Sequence, residues 1–376
     1  MGSDVRVAAV GDIMVKRAEP ESMFEHAAPV LRAADVTFGN CESAYSTRGS
    51  RNPAVMGEVC AHPDNIKGLS YAGFDVMSLG NNHFLDAGYD AMFDTIEGLR
   101  DCGIITCGAG ANITEAREPA VIERNGTTVA FLGYSSILFP GFAAAEMKPG
   151  CAPIAVHTVY QQVHIEQPGS NPRILTFPDP QDVAAMQQDV ERAKERADIV
   201  VFTPHWGLCF LRGAVADYES VLARAAIDAG ADVVLGHHQH IIKPIEIYRG
   251  RAIFHGMGNF AMDVDMEQHE WSPKLKAFRA SYPEGVAVGP RDDYPTYPYH
   301  PDCRQTMIAQ LDIVGRHIAR VSFRPCYINP AGQPVPLVGG DERFDSLMTY
   351  VREITAEAGY ATRIHASGDD LVVVTE

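Results

Sequence analysis

The chain has 376 residues, 31 of them Lys or Arg and 48 Asp or Glu, for a formal charge of -17 at pH 7. That length supports one large domain or two ordinary ones around a proper apolar core, which excludes both a disordered segment and a small stapled scaffold. The acidic balance repels nucleic acid and anionic membranes as a whole-molecule effect, so an anionic substrate needs a local cationic or metallic patch.

In chain order, "VRVAAV" predicts a strand ending at Gly11-Asp12, "ADVTFGN" one ending at Asn40, and "FDVMSLG" one leading into Asn81-Asn82-His83. "YDAMFDTIEGLRDCG" reads as a helix stopped by Gly103, and "AVIERNGTTVAFLGYS" as a hairpin turning at Asn125-Gly126. Residues 139–180, rich in Pro and Gly, fit no regular period; loops this long are commonly lids or partner-contacting insertions. Val183, Met186, Val190, Ala193 and Ala197 then recur at helical spacing in "QDVAAMQQDVERAKERA". "ADIVVFTPHWG" carries a strand to His205, "YESVLARAAIDAG" a helix stopped by Gly230, and "ADVVLGHHQH" a strand to His237, His238 and His240. A hairpin turns near Arg249-Gly250, and residues 262–305 form a second irregular insertion. Another hairpin turns near Gly315, and "DERFDSLMTYVREITAEAG" predicts the last helix before a strand-like "DDLVVV". The alternation predicts an α/β protein with mixed sheets, a single domain over 1–376 carrying the insertions 139–180 and 262–305.

The strands deliver polar residues at their C-terminal ends, where open α/β sheets bind ligands. Asp12, Glu42, Asn82, His83, His205, His238 and His240 are carboxylate, amide and imidazole groups, the donors divalent transition metals favour. Singly, each has a plain reading: Asp12 as a turn residue, Glu42 as a surface carboxylate, His205 as a core ring beside Trp206. The His238-x-His240 spacing points two imidazoles to one side if the segment is extended, with His237 facing away. The eight cysteines are scattered with no CxxC pair, which favours reduced thiols. With no basic, apolar leader and no stretch approaching 18 apolar residues, a cytoplasmic protein is expected.

These residues reach a known pattern. "GD" at 11–12, "GNCES" at 39–43, "SLGNNHFLDAG" at 78–88, "PHWG" at 204–207 and "AGADVVLGHHQHIIKPIE" running to "GMGNF" at 256–260 resemble the CapA family. These are poly-γ-glutamate capsule biosynthesis proteins related to calcineurin-like metallophosphatases, and the resemblance covers about residues 5–260. It implies a four-layer α/β/β/α sandwich with a metal centre at the sheet edge. By the same resemblance Asp12 is a ligand of one metal, Glu42 a bridging carboxylate and Asn82 a ligand of a second metal. His205, His238 and His240 supply imidazole ligands, and His83 protonates the leaving group or steadies the transition state. Two departures stand out: Met14 occupies the place of the Asp-x-His histidine, and Leu208-Cys209 follows "HWG" where relatives often carry Glu.

The favoured reading is a hydrolase using one or two divalent ions (manganese, iron or zinc) to direct water at a phosphoester or a γ-glutamyl amide. Its substrate is expected to be a small or peptide-like anion, with no nucleic acid and no membrane as partner. Substrate contacts are sought at Asn81, Asp86, His237, Cys209 and Asn259, and in the basic stretch at Lys274, Lys276 and Arg279; Tyr294, Tyr297 and Tyr299 are candidates to cover the pocket. Two alternatives accompany it: a non-catalytic binding or assembly protein for polyglutamate or peptide, and an iron- or manganese-dependent enzyme of another class.

Overall fold

Successive side chains of the first strand serve two different cores, and that alternation sets the layers. In β1 (Val5–Met14), Val5, Val7 and Ala9 join one buried cluster while Ala8, Val10 and Ile13 join another. The computed structural model describes residues 4–55, 57, 59–264, 276–277, 280–282, 286, 289 and 291–375.

β1, β2 (Val36–Cys41), β3 (Val76–Ser78) and β4 (Ile105–Cys107) are parallel neighbours in the first sheet. The chain then builds a second sheet from β5 (Ala120–Arg124), β6 (Thr127–Ser135), β7 (Ile199–His205), β8 (Val233–Leu235), β9 (Ile245–Tyr248) and β10 (Arg251–Phe254), in the order β9-β10-β8-β7-β6-β5. It returns to the first sheet through β11 (Asn259–Met262), parallel to β1. β12 (Gln305–Val314), β13 (His317–Ile328), β14 (Pro334–Pro336), β15 (Ile364–Ser367) and β16 (Asp370–Val373) then extend that sheet antiparallel to ten strands. The predicted turns sit where the chain reverses: Arg124 pairs with Thr127, Tyr248 with Arg251 and Val314 with His317. Asn125 and Arg249 take the positive φ (50° and 49°) that two-residue hairpin loops demand.

Val7, Phe38 and Val76 of the first sheet face Val129, Phe131, Val201 and Val233 of the second in one shared core. The rings of Phe38 and Phe131 stack at 4.9 Å and 4°, a geometry that adds about 0.5–1.5 kcal/mol to their burial. On the far side of the first sheet lie α1 (Ile66–Ala72) and α2 (Gly88–Asp101), burying Ile66, Leu69, Met92 and Leu99. On the far side of the second lie α3 (Pro180–Arg196) and α4 (Asp217–Asp228), whose Met186, Val190, Leu222 and Ala226 cover Leu132, Val200 and Phe202. α3 starts where local chemistry tells it to: Asp179 accepts from the amides of Gln181 and Asp182, Pro180 fills the first turn, and Lys194 and Arg196 lie in the last. The architecture is the expected α/β/β/α sandwich. α5 (Glu342–Glu357) adds Phe344, Leu347, Val351 and Ile354 to the inter-sheet core.

Two features differ from the sequence expectation. Within 139–180 the chain forms a two-stranded hairpin, Val156–Gln161 against Arg173–Pro178. Its side chains are largely exposed, so no buried face imposes the alternation by which a strand is recognised. β1 does not stop at Gly11-Asp12 but runs to Met14, and its register shifts next to Asp12 against both β2 and β11. Such an irregularity re-aims the side chain beside it. The cysteines are free thiols, and among the described residues no helix is long and apolar enough to cross a membrane.

Candidate metal centre

Asp12 is placed by a close backbone approach. Its amide donates to the Gly258 carbonyl at 3.1 Å, and a Cβ on Gly11 would lie 1.8 Å from that same oxygen, so only glycine admits the contact. Asp12 Oδ1 accepts from Asn40 Nδ2 at 2.8 Å, and Oδ2 accepts from the His238 amide at 3.2 Å. Glu42, one residue past β2, is fully buried, and neither of its carboxylate oxygens has a hydrogen-bond partner.

The segment after β8 is not extended as the His238-x-His240 spacing suggested. His238 and His240 both adopt positive φ, 94° and 57°. Of the five non-glycine residues in that region among those described, Asn125 and Arg249 are turn residues; the other three are His238, His240 and Phe210, whose ring stacks on that of His240 at 5.6 Å. Left-handed backbone is costly outside glycine and persists where surrounding structure compels it. The bends bring His238 Nδ1 to 3.1 Å from His205 Nε2, and His238 Nε2 to 3.1 Å from Cys209 Sγ. His205, the last residue of β7, also has Nε2 2.6 Å from Asn82 Oδ1 and 3.4 Å from Glu42 Oε1. His240 donates Nδ1–H to Asn259 Oδ1 at 2.8 Å, which leaves Nε2 with its lone pair.

Three groups of donors therefore converge, each with ligand atoms within 4.8 Å of one another: Glu42, His205 and His238; Asp12, Glu42 and His240; Cys209, His238 and His240. All six side chains are buried. Each pair of groups shares one residue, so the three are facets of one centre.

The electrostatics fit a cation. Burial raises Asp12 to about 7, opposed by its bonds from Asn40 and the His238 amide. Burial, then the charges of Asp12 and Asp86, push Glu42 well above the usual carboxylate range. Desolvation holds His205 and His238 well below the ordinary imidazole value and His240 at about 4, so the rings are neutral, lone-pair donors at pH 7. Burial also raises the Cys209 thiol. Two buried carboxylates with no Lys or Arg partner among the described residues form a site whose charge a divalent ion would balance.

This predicts a pH dependence. A metal must displace the Asp12 proton below about pH 7, and the Glu42 carboxyl is raised as well, so affinity should rise about tenfold or more per pH unit up to that point. Titration calorimetry with zinc at several pH values checks it; an affinity independent of pH between 5.5 and 7 would exclude Asp12 as a ligand.

At the rim stands His83, its side chain 23% exposed, donating Nδ1–H to the buried Asp86 carboxylate at 2.7 Å. Asp86 also accepts from the Val59 amide. The remaining candidates sit behind the donors. Asn81 is buried and donates Nδ2 to the Cys41 carbonyl, and Asn259 is buried between His240 and the Tyr297 hydroxyl. His237 is buried beside Phe38, with neither ring nitrogen hydrogen-bonded; its Nδ1 is 3.8 Å from Asp12. Its ring faces the inter-sheet core, and burial lowers it to about 3. Lys276 is exposed, and Lys274 and Arg279 lie outside the described residues. Tyr297 and Tyr299 are buried over the centre, Tyr299 with its ring 5.4 Å from that of His240.

Two residues escaped the sequence reading. Asn40 touches both Asp12 and, at 3.3 Å, His205 Nδ1; its place at a strand end two residues before Glu42 was the available signal. Lys243 buries its ammonium against the Leu211 and Ala214 carbonyls, and nothing local in "IIKPIE" points to that.

Fold and site together define an α/β/β/α protein with a buried His, Asn and carboxylate centre at strand ends. The profile of the family described as "Bacterial capsule synthesis protein PGA_cap" matches residues 6–264, and the chain belongs to that family. It is 31% identical over 264 residues to the PGA biosynthesis protein CapA of Bacillus subtilis (strain 168), covering 68% of this chain and 62% of that one. The capsule biosynthesis protein CapA of Bacillus anthracis is 28% identical over 265 residues, covering 68% and 59%. A Mycobacterium tuberculosis protein named "Probable polyglutamine synthesis accessory protein" is 33% identical over 243 residues, covering 62% and 57%. The chain thus spans about three fifths of the length of these relatives. Among solved structures, a calcineurin-like phosphoesterase from Bacillus subtilis aligns over 94% of this chain and 97% of its own at 12% identity and a TM-score of 0.38.

Proposed function

We propose that the chain is a metal-dependent hydrolase acting on a small or peptide-like anionic substrate, with a γ-glutamyl amide as the first bond to test and a phosphoester as the second. The observation that carries this reading is the pair of a half-buried His83 and a buried Asp86 beside a buried donor set. A site that only held a cation for structure has no use for an oriented imidazole there.

In this reading Asp12, Glu42, Asn82, His205, His238 and His240 hold the cation, and Glu42, with two unengaged oxygens, spans two of the donor groups. A bound divalent ion supplies a water of lowered pKa and polarises the bond to be broken. Asn40 orients Asp12, and Asn259 fixes the His240 ring. Asp86 keeps the proton on His83 Nδ1, so Nε2 is the atom that delivers a proton to the departing nitrogen or oxygen. The resemblance to poly-γ-glutamate capsule proteins, beside the biosynthesis and accessory names of the relatives, puts the γ-glutamyl bond first.

Those names favour a second reading as well, a non-catalytic accessory protein, and the buried thioether of Met14 is in keeping with a pared-down ligand set. The test offers γ-glutamyl oligomers and a phosphomonoester to the chain loaded in turn with manganese, iron(II) and zinc, reading released glutamate and phosphate. Metal-dependent release from one class is expected. Bound metal without turnover of either class would sink the hydrolase and leave the accessory protein.

A further inference from the structure

We infer that Cys209 is itself a ligand, so that this chain's centre contains a sulfur–imidazole–imidazole facet, Cys209–His238–His240, suited to a soft or borderline ion. The inference rests on the metal reading of the site and names a donor within it.

Buried cysteines are ordinarily inert small hydrophobes, and others here behave so. Cys41, Cys151 and Cys326 direct their sulfurs at backbone carbonyls. Cys209 Sγ also meets a carbonyl, His238 O at 3.5 Å, but lies closer, 3.1 Å, to an imidazole nitrogen, His238 Nε2, and shares a 4.8 Å donor group with His238 and His240. A tetrahedral zinc with ordinary bond lengths sets sulfur and nitrogen about 3.6 Å apart; the pair stands within about half an ångström of that separation.

The surroundings hold the sulfur in place. Phe210 takes a strained positive φ of 61° and donates its amide to the Gln239 carbonyl at 2.9 Å, tying the residue after Cys209 to the residue between the two histidines. Lys243 Nζ donates to Leu211 and Ala214 at 2.5 and 2.9 Å, clamping the loop just beyond. An independent observation points to a cation at the same spot: Glu42, nine-tenths buried and more, has both oxygens unpartnered and belongs to a group sharing His240 with the cysteine facet. Thiolate donors bias a site toward zinc, iron(II) and cobalt(II) over manganese and magnesium. Cys209 thus becomes the residue that sets metal preference.

Cobalt(II) is the probe, because its spectrum reports ligands without any turnover. The metal-free chain, Cys209→Ser and Cys209→Ala are titrated with cobalt(II), recording the near-ultraviolet sulfur-to-cobalt charge-transfer band, the visible d–d bands and bound cobalt. The native chain should show the charge-transfer band; both variants should bind cobalt and keep d–d bands but lose it. Zinc affinity should fall about tenfold or more in Cys209→Ser while manganese affinity changes far less. Bound cobalt with no charge-transfer band in the native chain, or the same band in both variants, would overturn the cysteine assignment while leaving the centre intact. A native chain that binds no cobalt would instead remove the metal reading on which the inference stands.

Discussion

The native chain is expected to emerge from purification with bound metal, and a His238→Ala, His240→Ala double variant without it. Every one of the three donor groups contains at least one of the two rings: His238 belongs to two groups, His240 to two, and one group holds both. Losing them strips each group of at least one member and leaves Asp12, Glu42, His205 and Cys209 with no complete group. Removing even an outer partner of a ligand costs about 10- to 100-fold in affinity, so losing two ligands should cost about 100-fold or more. Elemental analysis of protein purified without added metal or chelator should find about one or two equivalents of manganese, iron or zinc in the native chain and next to none in the variant. Circular dichroism establishes that the variant is folded. A folded variant with its metal retained would remove both histidines from the site, and a native chain that stays metal-free even when metal is offered would end the metal-centre reading.

The second large effect concerns turnover. His83→Ala should lower kcat by about 10²- to 10⁴-fold, the usual worth of a positioned general acid, while bound metal stays unchanged because His83 lies outside the donor groups. Asp86 acts through His83, holding Nδ1 at 2.7 Å. Asp86→Asn should therefore give a smaller loss, about 10- to 100-fold, of the size that outer partners of a functional group contribute. Its signature is a kcat change with a shifted pH profile. Steady-state kinetics on the substrate class found in the screen, with metal analysis of each variant, decide the matter. Equal kcat in His83→Ala and the native chain would leave the histidine as a rim residue and take the general acid out of the mechanism.

How much of this could be read in advance follows from the range of the forces involved. Val5, Val7 and Ala9 alternate with Ala8 and Val10 within one strand, and Asn125-Gly126 announces its own turn, so the layers and hairpins were legible locally. The hairpin Val156–Gln161 with Arg173–Pro178 was not, because strands with little buried surface carry little pattern. Asp12, Glu42, Asn82, His205, His238 and His240 were legible as a set through residue type and place at strand ends. The manner of their meeting was not: an extended 238–240 was expected, and a twice-bent one delivers the rings.

The sequence by itself determined the α/β/β/α class, the identity of the family and the chemical types of donor at the centre, because periodicity, turn chemistry and residue type act within a few neighbours. The tertiary structure alone decided that Asp12 sits at a register shift, that Asn40 and Asn259 orient Asp12 and His240, that Cys209 comes within 3.1 Å of His238, and that Lys243 clamps the loop beyond it. Those facts join positions as distant as Asp12 and His238, 226 residues apart. Their meeting depends on two sheets packing face to face, which no local pattern encodes.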